Sequence, residues 1–200
     1  MTFVSSSSPN TLVLASTSPF RKDVLSRLKV PFEIFAPNVD ESPLANETPS
    51  QLVLRLAEMK AQAAQSSYPN ALVIGSDQVA VIEDTILGKP GNHEQAVKQL
   101  TQASGKQVDF LTGLCVLNTQ TSKFHTDMVR FGVTFRQITP GQIENYLEKD
   151  KPYNCAGSFK SEGLGIALLE RMVGSDPTAV IGLPLIRLVR MLEAEGMQII

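Results

Sequence analysis

The stretch 73–81, with the sequence VIGSDQVAV, constrains the fold of this chain more than any other segment. Branched apolar residues on both sides of one carboxylate predict a buried strand, and Gly75 permits a bulge or the close approach of another backbone. A charged group inside such a strand is costly unless it is paired, hydrogen-bonded or bound to a metal. Asp77 is therefore a candidate catalyst, although an ordinary turn at the end of the strand is an alternative that this segment leaves open.

Apolar runs alternate with segments of helical periodicity along the rest of the chain, and 42% of its residues are hydrophobic. This pattern predicts one α/β domain over residues 11–200, after a flexible tail at residues 1–10. Strands are predicted at 11–15, 31–36, 108–117 and 123–135, and the last two are expected to form an antiparallel pair. Helices are predicted to begin near Pro19, Ser50, His93, Thr139 and Pro184.

The charge balance and the apolar pattern exclude several classes of protein. A net charge of -2 and a pI near 5.7 argue against direct nucleic-acid binding, which needs a basic face. No apolar run approaches the roughly 20 residues that span a bilayer, and the N-terminus does not resemble a signal peptide, so we expect a cytoplasmic protein without membrane contact. Cys115 and Cys155 lack metal-type spacing, and both are expected to be reduced, buried and structural.

A hydroxyl-rich loop between the first strand and the first helix is a candidate phosphate site. Ser18 is a predicted helix N-cap because Pro19 follows it, and Ser16 lies just before it. Free backbone N–H groups at a helix start, together with the cations Arg21 and Lys22, suit a phosphate. An ordinary helix cap explains the same residues, and the P-loop pattern is absent.

Three carboxylates, those of Asp40, Glu41 and Asp77, are candidate ligands for a metal ion. Hard carboxylate oxygens suit Mg²⁺, which also binds substrate phosphates. Solvated loop charges are the alternative for Asp40 and Glu41. Zinc is not expected, because His93 and His125 lie near neither a cysteine nor a second histidine in the sequence.

Three isolated lysines lie beside small residues or glycines, and each alone fits an ordinary solvated side chain. They are Lys60, Lys89 and Lys160. Together with the anion-receptive helix start they predict a polyphosphate ligand.

The motifs as a whole resemble those of the Maf family of nucleoside triphosphate pyrophosphatases. They are STSPFRK at 16–22, VDE at 39–41, AEMKA at 57–61, IGSDQ at 74–78, GKP at 88–90, SG at 104–105, TG at 112–113, AGSFKSEG at 156–163 and IGLP at 181–184. Within the family, SDQ at 76–78 and KSEG at 160–163 are similar to the branch that hydrolyses 7-methyl-GTP. The branch acting on dTTP and UTP carries ADT and a QG ending instead.

The resemblance implies an α/β fold with a long, twisted, mixed sheet flanked by helices, and two lobes around a central cleft, as in the Maf and ITPase folds. It also implies a small-molecule nucleotide substrate, and a homodimer is common in the family. Water would attack the α-phosphorus of the nucleotide and release a nucleoside monophosphate and diphosphate. Magnesium is the expected metal, with manganese as the alternative.

The resemblance also implies roles for individual residues. Asp77 would be the general base or the metal-held group that orients water, and Asp40 or Glu41 would complete the metal shell. The residues expected to bind the substrate are Ser16, Ser18, Phe20, Arg21, Lys22, Lys60, Gln78, Lys89, Lys160 and Glu162. Of these, Phe20, Gln78 and Glu162 would recognise the base.

Two of these residues depart from the family pattern. Phe20 stands where the 7-methyl-GTP branch usually has Trp, and Lys22 replaces the second Arg of a common Arg-Arg pair. Two alternatives stand beside 7-methyl-GTP hydrolysis. One is a pyrophosphatase for dTTP, UTP or a broader set of modified nucleotides, and the other is a regulator of cell division that acts by binding a partner.

Overall fold

The computed structural model describes residues 11–200, which are built on one seven-stranded mixed sheet. The strands are β1 (Thr11–Ala15), β2 (Glu33–Phe35), β3 (Ala71–Ile82), β4 (Thr85–Leu87), β5 (Gln107–Asn118), β6 (Lys123–Phe135) and β7 (Leu169–Gly174). Their order in the sheet is β2-β1-β3-β5-β6-β7, and β4 pairs with β3. Strand β1 runs parallel to β2 and β3, and the other pairs are antiparallel.

Helices flank this sheet, which confirms the predicted mixed α/β class. They are α1 (Pro19–Leu25), α2 (Pro49–Ala63), α3 (His93–Ala103), α4 (Pro140–Asp150) and α5 (Leu185–Ala194). Short 3₁₀ turns occur at Ser26–Leu28, Ala156–Ser158, Leu164–Leu168 and Ala179–Ile181. The predicted tail at residues 1–10 lies outside the described part of the chain. Within residues 11–200, no helix is both long enough and apolar enough to span a membrane.

The strand β3 continues without a break through Asp77. Its register with β5 runs from the Leu72–Asn118 pair to the Val81–Asp109 pair, so the alternative of an ordinary turn at Asp77 is wrong. The predicted antiparallel pairing of the next two strands is confirmed by β5 and β6. The sequence analysis did not predict β4 or β7.

Helix α2 lies with its backbone directly against the sheet. A Cβ atom at Gly75 would come within 2.0 Å of the Ala57 carbonyl oxygen, and one at Gly113 within 2.1 Å of the Val53 carbonyl oxygen. The predicted close approach of another backbone at Gly75 is therefore confirmed. Because side chains alternate along a strand, Asp77 points to the same face as Gly75, toward α2.

Of the four hydrophobic clusters among the described residues, the two largest form the two lobes, and β3 contributes to both. Ile74 packs in one core with Leu14 and Leu188, whereas Ala80 packs in the other with Phe110 and Tyr146. The polar residues of β3 lie between these two apolar ends. This arrangement confirms the predicted two-lobed architecture and places Asp77 at the junction of the lobes.

Candidate functional site

A buried ion-pair cluster forms on the α2 face of β3. The Lys60 ammonium lies 2.6 Å from Asp77 Oδ1 and 2.7 Å from Glu41 Oε1. The side chains of Lys60 and Asp77 are only 6% and 10% exposed, respectively, so each charge depends on the other for compensation. Burial works against ionisation of Glu41, but the hydrogen bond and charge of Lys60 outweigh it and lower the pKa of that carboxyl.

Arg55 attaches the loop that carries Glu41 to helix α2. Its guanidinium donates to both carboxylate oxygens of Glu47, at 2.6 and 2.7 Å, and to the Ser42 carbonyl at 3.1 Å. The hydrogen bond from Arg55 lowers the pKa of Glu47 to about 2. Asp40 instead accepts a hydrogen bond from the Ser42 N–H at 2.9 Å and shapes the turn.

Two adjoining cavities extend along the junction between the lobes. The smaller, of about 300 Å³, contains the carboxylates and is lined by Ser16, Arg21, Glu41, Lys60, Asp77 and Lys89 among others. The larger, of about 450 Å³, is lined by Phe20, Asp150, Cys155, Ala156, Lys160 and Glu162 among others. Thr17, Ser18, Arg21, Gln78 and Lys89 line both cavities, so a single extended ligand can occupy the two.

Arg21 links the start of α1 to the C-terminal part of the chain. Its Nε donates to the Gly182 carbonyl at 2.9 Å, and Ser76 Oγ donates to the same carbonyl at 2.9 Å. Ser18 accepts a hydrogen bond from the Arg21 N–H as the predicted N-cap of α1. Burial lowers the pKa of Arg21, although the negative charges of Asp77 and Glu41 act to raise it. The guanidinium nevertheless stays charged, as it does in proteins generally.

Gln78 lies on the opposite face of β3 from Asp77 and is fixed by backbone and side-chain acceptors. Its Nε2 donates to Thr112 Oγ1 at 2.9 Å and to the Ala179 carbonyl at 2.7 Å. Thr112 Oγ1 donates in turn to the Ala179 carbonyl at 2.9 Å. These contacts engage the amide nitrogen of Gln78, and its Oε1 accepts no hydrogen bond from residues 11–200.

Asp176 stabilises the wall formed by residues 176–182. It is 2% exposed, and its Oδ2 accepts a hydrogen bond of 2.8 Å from the Ile186 N–H in the first turn of α5. Its Oδ1 accepts from Thr178 Oγ1 at 2.7 Å. Sequence reasoning missed Ser76, Thr112 and Asp176, although Ser76 and Thr112 are polar residues inside strongly apolar runs, which is a usable signal.

The structure gathers most of the predicted substrate-binding residues around the two cavities. Those that line a cavity are Ser16, Ser18, Phe20, Arg21, Lys60, Gln78, Lys89, Lys160 and Glu162. Lys22 is exposed and lies outside both linings, because the residue after Arg21 points about 100° away around a helix. Its role in substrate binding stays a prediction.

The predicted set of three carboxylates does not assemble. Among residues 11–200, no group of three or more His, Cys, Asp or Glu side chains is placed to hold a metal ion. Glu41 and Asp77 converge on Lys60, whereas Asp40 lines neither cavity. Because Mg²⁺ is commonly bound by one or two carboxylates plus substrate phosphates, Glu41 and Asp77 fit a site that the substrate completes.

The two cysteines differ in their surroundings, and both are free thiols. Cys115 is fully buried in β5, and burial raises its pKa to about 12. Cys155 is only half-buried and lines the larger cavity, so the expectation that both are buried is wrong for this residue. Burial nevertheless raises the pKa of Cys155 to about 11, which makes it a poor nucleophile.

Comparisons with known proteins agree on the family. The family model described as Maf-like protein matches residues 11–195. A relative from Nitrosococcus oceani, named 7-methyl-GTP pyrophosphatase, is 57% identical over 191 residues, which cover 96% of each chain. A relative of the same name from Aliivibrio fischeri is 54% identical over 94% of this chain and 98% of its own length.

A weaker similarity links the chain to a solved structure. The structure of the Staphylococcus aureus Ham1 protein matches 62% of this chain and 71% of that chain, with 13% identity and a TM-score of 0.44, too low to support an argument. The family match and the two relatives extend over nearly the whole sequence. The chain belongs to the Maf family.

Proposed function

We propose that this protein is a nucleoside triphosphate pyrophosphatase that hydrolyses 7-methyl-GTP to 7-methyl-GMP and diphosphate. The observation that carries the proposal is the pair of adjoining cavities, one with a buried carboxylate among cations and one with the carboxylate of Glu162. Relatives that are 57% and 54% identical bear the name 7-methyl-GTP pyrophosphatase, which supports the same substrate.

The smaller cavity suits the triphosphate and the reaction at its α-phosphorus. Arg21, Lys60 and Lys89 bring positive charge to it, and such charge stabilises the transition state of phosphoryl transfer. Asp77, positioned by Lys60, accepts a proton from a water molecule while the oxygen of that water bonds to the α-phosphorus. The bond from the α-phosphorus to the bridging oxygen breaks, and diphosphate leaves with the electron pair.

Magnesium, with manganese as the alternative, is part of the proposal. Glu41 and Asp77 would hold the ion together with phosphate oxygens. When bound, it would supply charge neutralisation to the triphosphate. The contacts of Glu41 and Asp77 with Lys60 support these two residues as the metal ligands from the chain. Asp40 is less suited to a third position because it lines neither cavity.

The larger cavity suits a guanine base. Guanine presents two N–H donors side by side, which the Glu162 carboxylate can accept together, and Gln78 Oε1 adds another acceptor. Uracil and thymine present one N–H between two carbonyl oxygens, which a carboxylate repels. Phe20 lines the same cavity, and its aromatic face attracts the positive charge that methylation gives the base.

A cytoplasmic location, a homodimer and the lack of nucleic-acid binding stay predictions.

Release of diphosphate by the purified protein with magnesium tests the proposal. The substrates are 7-methyl-GTP, GTP, dTTP, UTP, CTP and ATP, and Asp77→Asn is the control protein. We expect release that depends on Asp77 and is fastest with 7-methyl-GTP. Activity on pyrimidine nucleotides alone would contradict the assignment of the base site, and no release from any substrate would favour the partner-binding alternative.

A further inference from the structure

The loop 158–164, which carries Lys160 and Glu162, is attached to helix α4 at both of its ends. The Tyr146 hydroxyl donates to the Ser158 carbonyl at 3.2 Å and accepts from the Lys160 N–H at 3.0 Å. Asp150 Oδ2 accepts a hydrogen bond of 2.6 Å from the Leu164 N–H. Tyr146 and Asp150 are one turn apart on α4 and thus share a helix face.

Glu162 lies between these two anchors and has little else to position it. Its side chain is exposed, and among the described residues its one hydrogen bond is with the hydroxyl of neighbouring Ser161, at 3.2 Å. The backbone of the loop therefore sets the position from which the Glu162 side chain reaches into the cavity. Recognition of two adjacent N–H donors requires that carboxylate to be placed to within about 0.5 Å.

The contact between Asp150 and the loop is close enough to restrict the sequence. A Cβ atom at residue 163 would lie 2.5 Å from Asp150 Oδ2, so Gly163 allows the carboxylate to reach the next N–H. Tyr146 is 2% exposed and packs in the second hydrophobic core, which fixes its hydroxyl. Tyr146 is thus held by a hydrophobic core that also contains Phe159 of the loop, whereas residues 160–164 have no buried side chain.

We propose that Asp150 and Tyr146 are positioning residues for base selection, because they hold the loop 158–164 so that Glu162 meets the guanine edge. This inference rests on the proposed function, since it concerns the base site of the same reaction. The anchors act through Glu162 and the loop, so removing them should alter which base is accepted more than it alters the step at phosphorus.

The kinetic test compares Asp150→Ala with Asp150→Asn, which retains an acceptor oxygen for the Leu164 N–H. We expect Asp150→Ala to reduce the ratio of kcat/KM for GTP over UTP by about tenfold, mainly through KM for GTP. Asp150→Asn should restore most of the ratio. In a Glu162→Gln background, Asp150→Ala should change the ratio by less than about twofold, because coupled residues are not additive.

Hydrogen exchange tests the same anchors without a substrate. In Asp150→Ala and in Tyr146→Phe, the amides of residues 160–164 should exchange at least about tenfold faster than in the wild type, while those of α5 stay unchanged. Tyr146→Phe preserves the ring in the core, so it keeps the test valid if Asp150→Ala fails to fold.

Three results would overturn the inference: an equal fall in kcat for every nucleotide without a change in the ratio, the same loss of ratio in the Glu162→Gln background, or unchanged exchange of the loop. A wild-type protein that fails to release diphosphate would instead refute the proposed function. The exchange measurement still decides the role of the anchors in that case.

Discussion

The two cavities are built by different kinds of contact, although they share a wall. Around the smaller one, α2 lies with its backbone against the sheet at Gly75, a buried ion pair joins Lys60 to Asp77, and the more exposed Glu41 also pairs with Lys60. Around the larger one, loops are tied to strands and to α4 by hydrogen bonds such as those of Gln78 and Tyr146.

This difference indicates a division of tasks between the two regions. Proton transfer and charge neutralisation need fixed distances, and a helix packed on a sheet supplies them. In the proposed function, base selection depends on Gln78 of β3 and on loops, and loops can change in sequence without disturbing a core. Mutations in the smaller cavity should therefore alter the rate of hydrolysis, and mutations around the larger cavity should alter the choice of base.

The largest effect is expected for Asp77→Asn. Loss of the carboxylate should lower kcat by about 10²- to 10⁴-fold, which is the usual contribution of a general base. Because Asp77 faces the smaller cavity, the fall should be similar for guanine and uracil nucleotides, measured as diphosphate release. A changed preference between the bases would show that the two regions are not separable.

Gly75→Ala should destabilise the protein by about 3 kcal/mol, because the new methyl group overlaps the Ala57 carbonyl oxygen at the contact with α2. Urea denaturation measures the change. Gly141→Ala is the matched control, since a Cβ atom there meets nothing within 4 Å. Equal stability of the two variants would mean that α2 can move away from the sheet at little cost.

Glu162→Gln should reduce the preference for guanine over uracil by about tenfold, with a smaller effect on maximal turnover. The amide removes the negative charge and converts one acceptor into a donor, which no longer matches two N–H groups. Steady-state kinetics with 7-methyl-GTP, GTP and UTP measure both quantities. Equal losses in turnover and preference would assign Glu162 to the chemistry or to the fold instead.

The smallest effect concerns Glu47, which attaches the loop of Glu41 to Arg55. Its pKa in the folded protein is about 2, below the ordinary value of 4.5, so its contribution to stability is complete above pH 4.5 and is lost as the pH falls toward about 2. In Glu47→Gln, the melting temperature should be lower at neutral pH and fall less steeply in that range. Glu58→Gln, at an exposed position of α2, the helix that carries Arg55, should retain the wild-type profile.

The sequence predicted which residues line the smaller cavity better than it predicted the contacts between them. The apolar run around Asp77 indicated a buried strand with a functional carboxylate. The convergence of Glu41 and Asp77 on Lys60 could not be predicted, because it depends on how closely α2 lies to the sheet. Asp40 and Lys22 have the same charges as their neighbours Glu41 and Arg21, so the sequence does not distinguish the residues that line a cavity from those that do not. Only the geometry of the turn and of the helix makes that distinction.

The larger cavity was less predictable because the residues that hold its loop in place have no distinctive sequence pattern. The motif around Glu162 indicated base recognition, but Tyr146 and Asp150 look like ordinary residues of an amphipathic helix. The strand β7 was missed since most of its residues are exposed, so it lacks the apolar run that marks a buried strand. The wall at residues 176–182 depends on contacts distant in sequence.

The alternation of side chains along β3 has a consequence for how the substrate range of such a protein can evolve. Asp77 and Gln78 are consecutive residues, yet they face opposite sides of the sheet and different partners. A substitution at residue 78 can therefore alter the nucleotide that is destroyed while the neighbouring acid keeps its place.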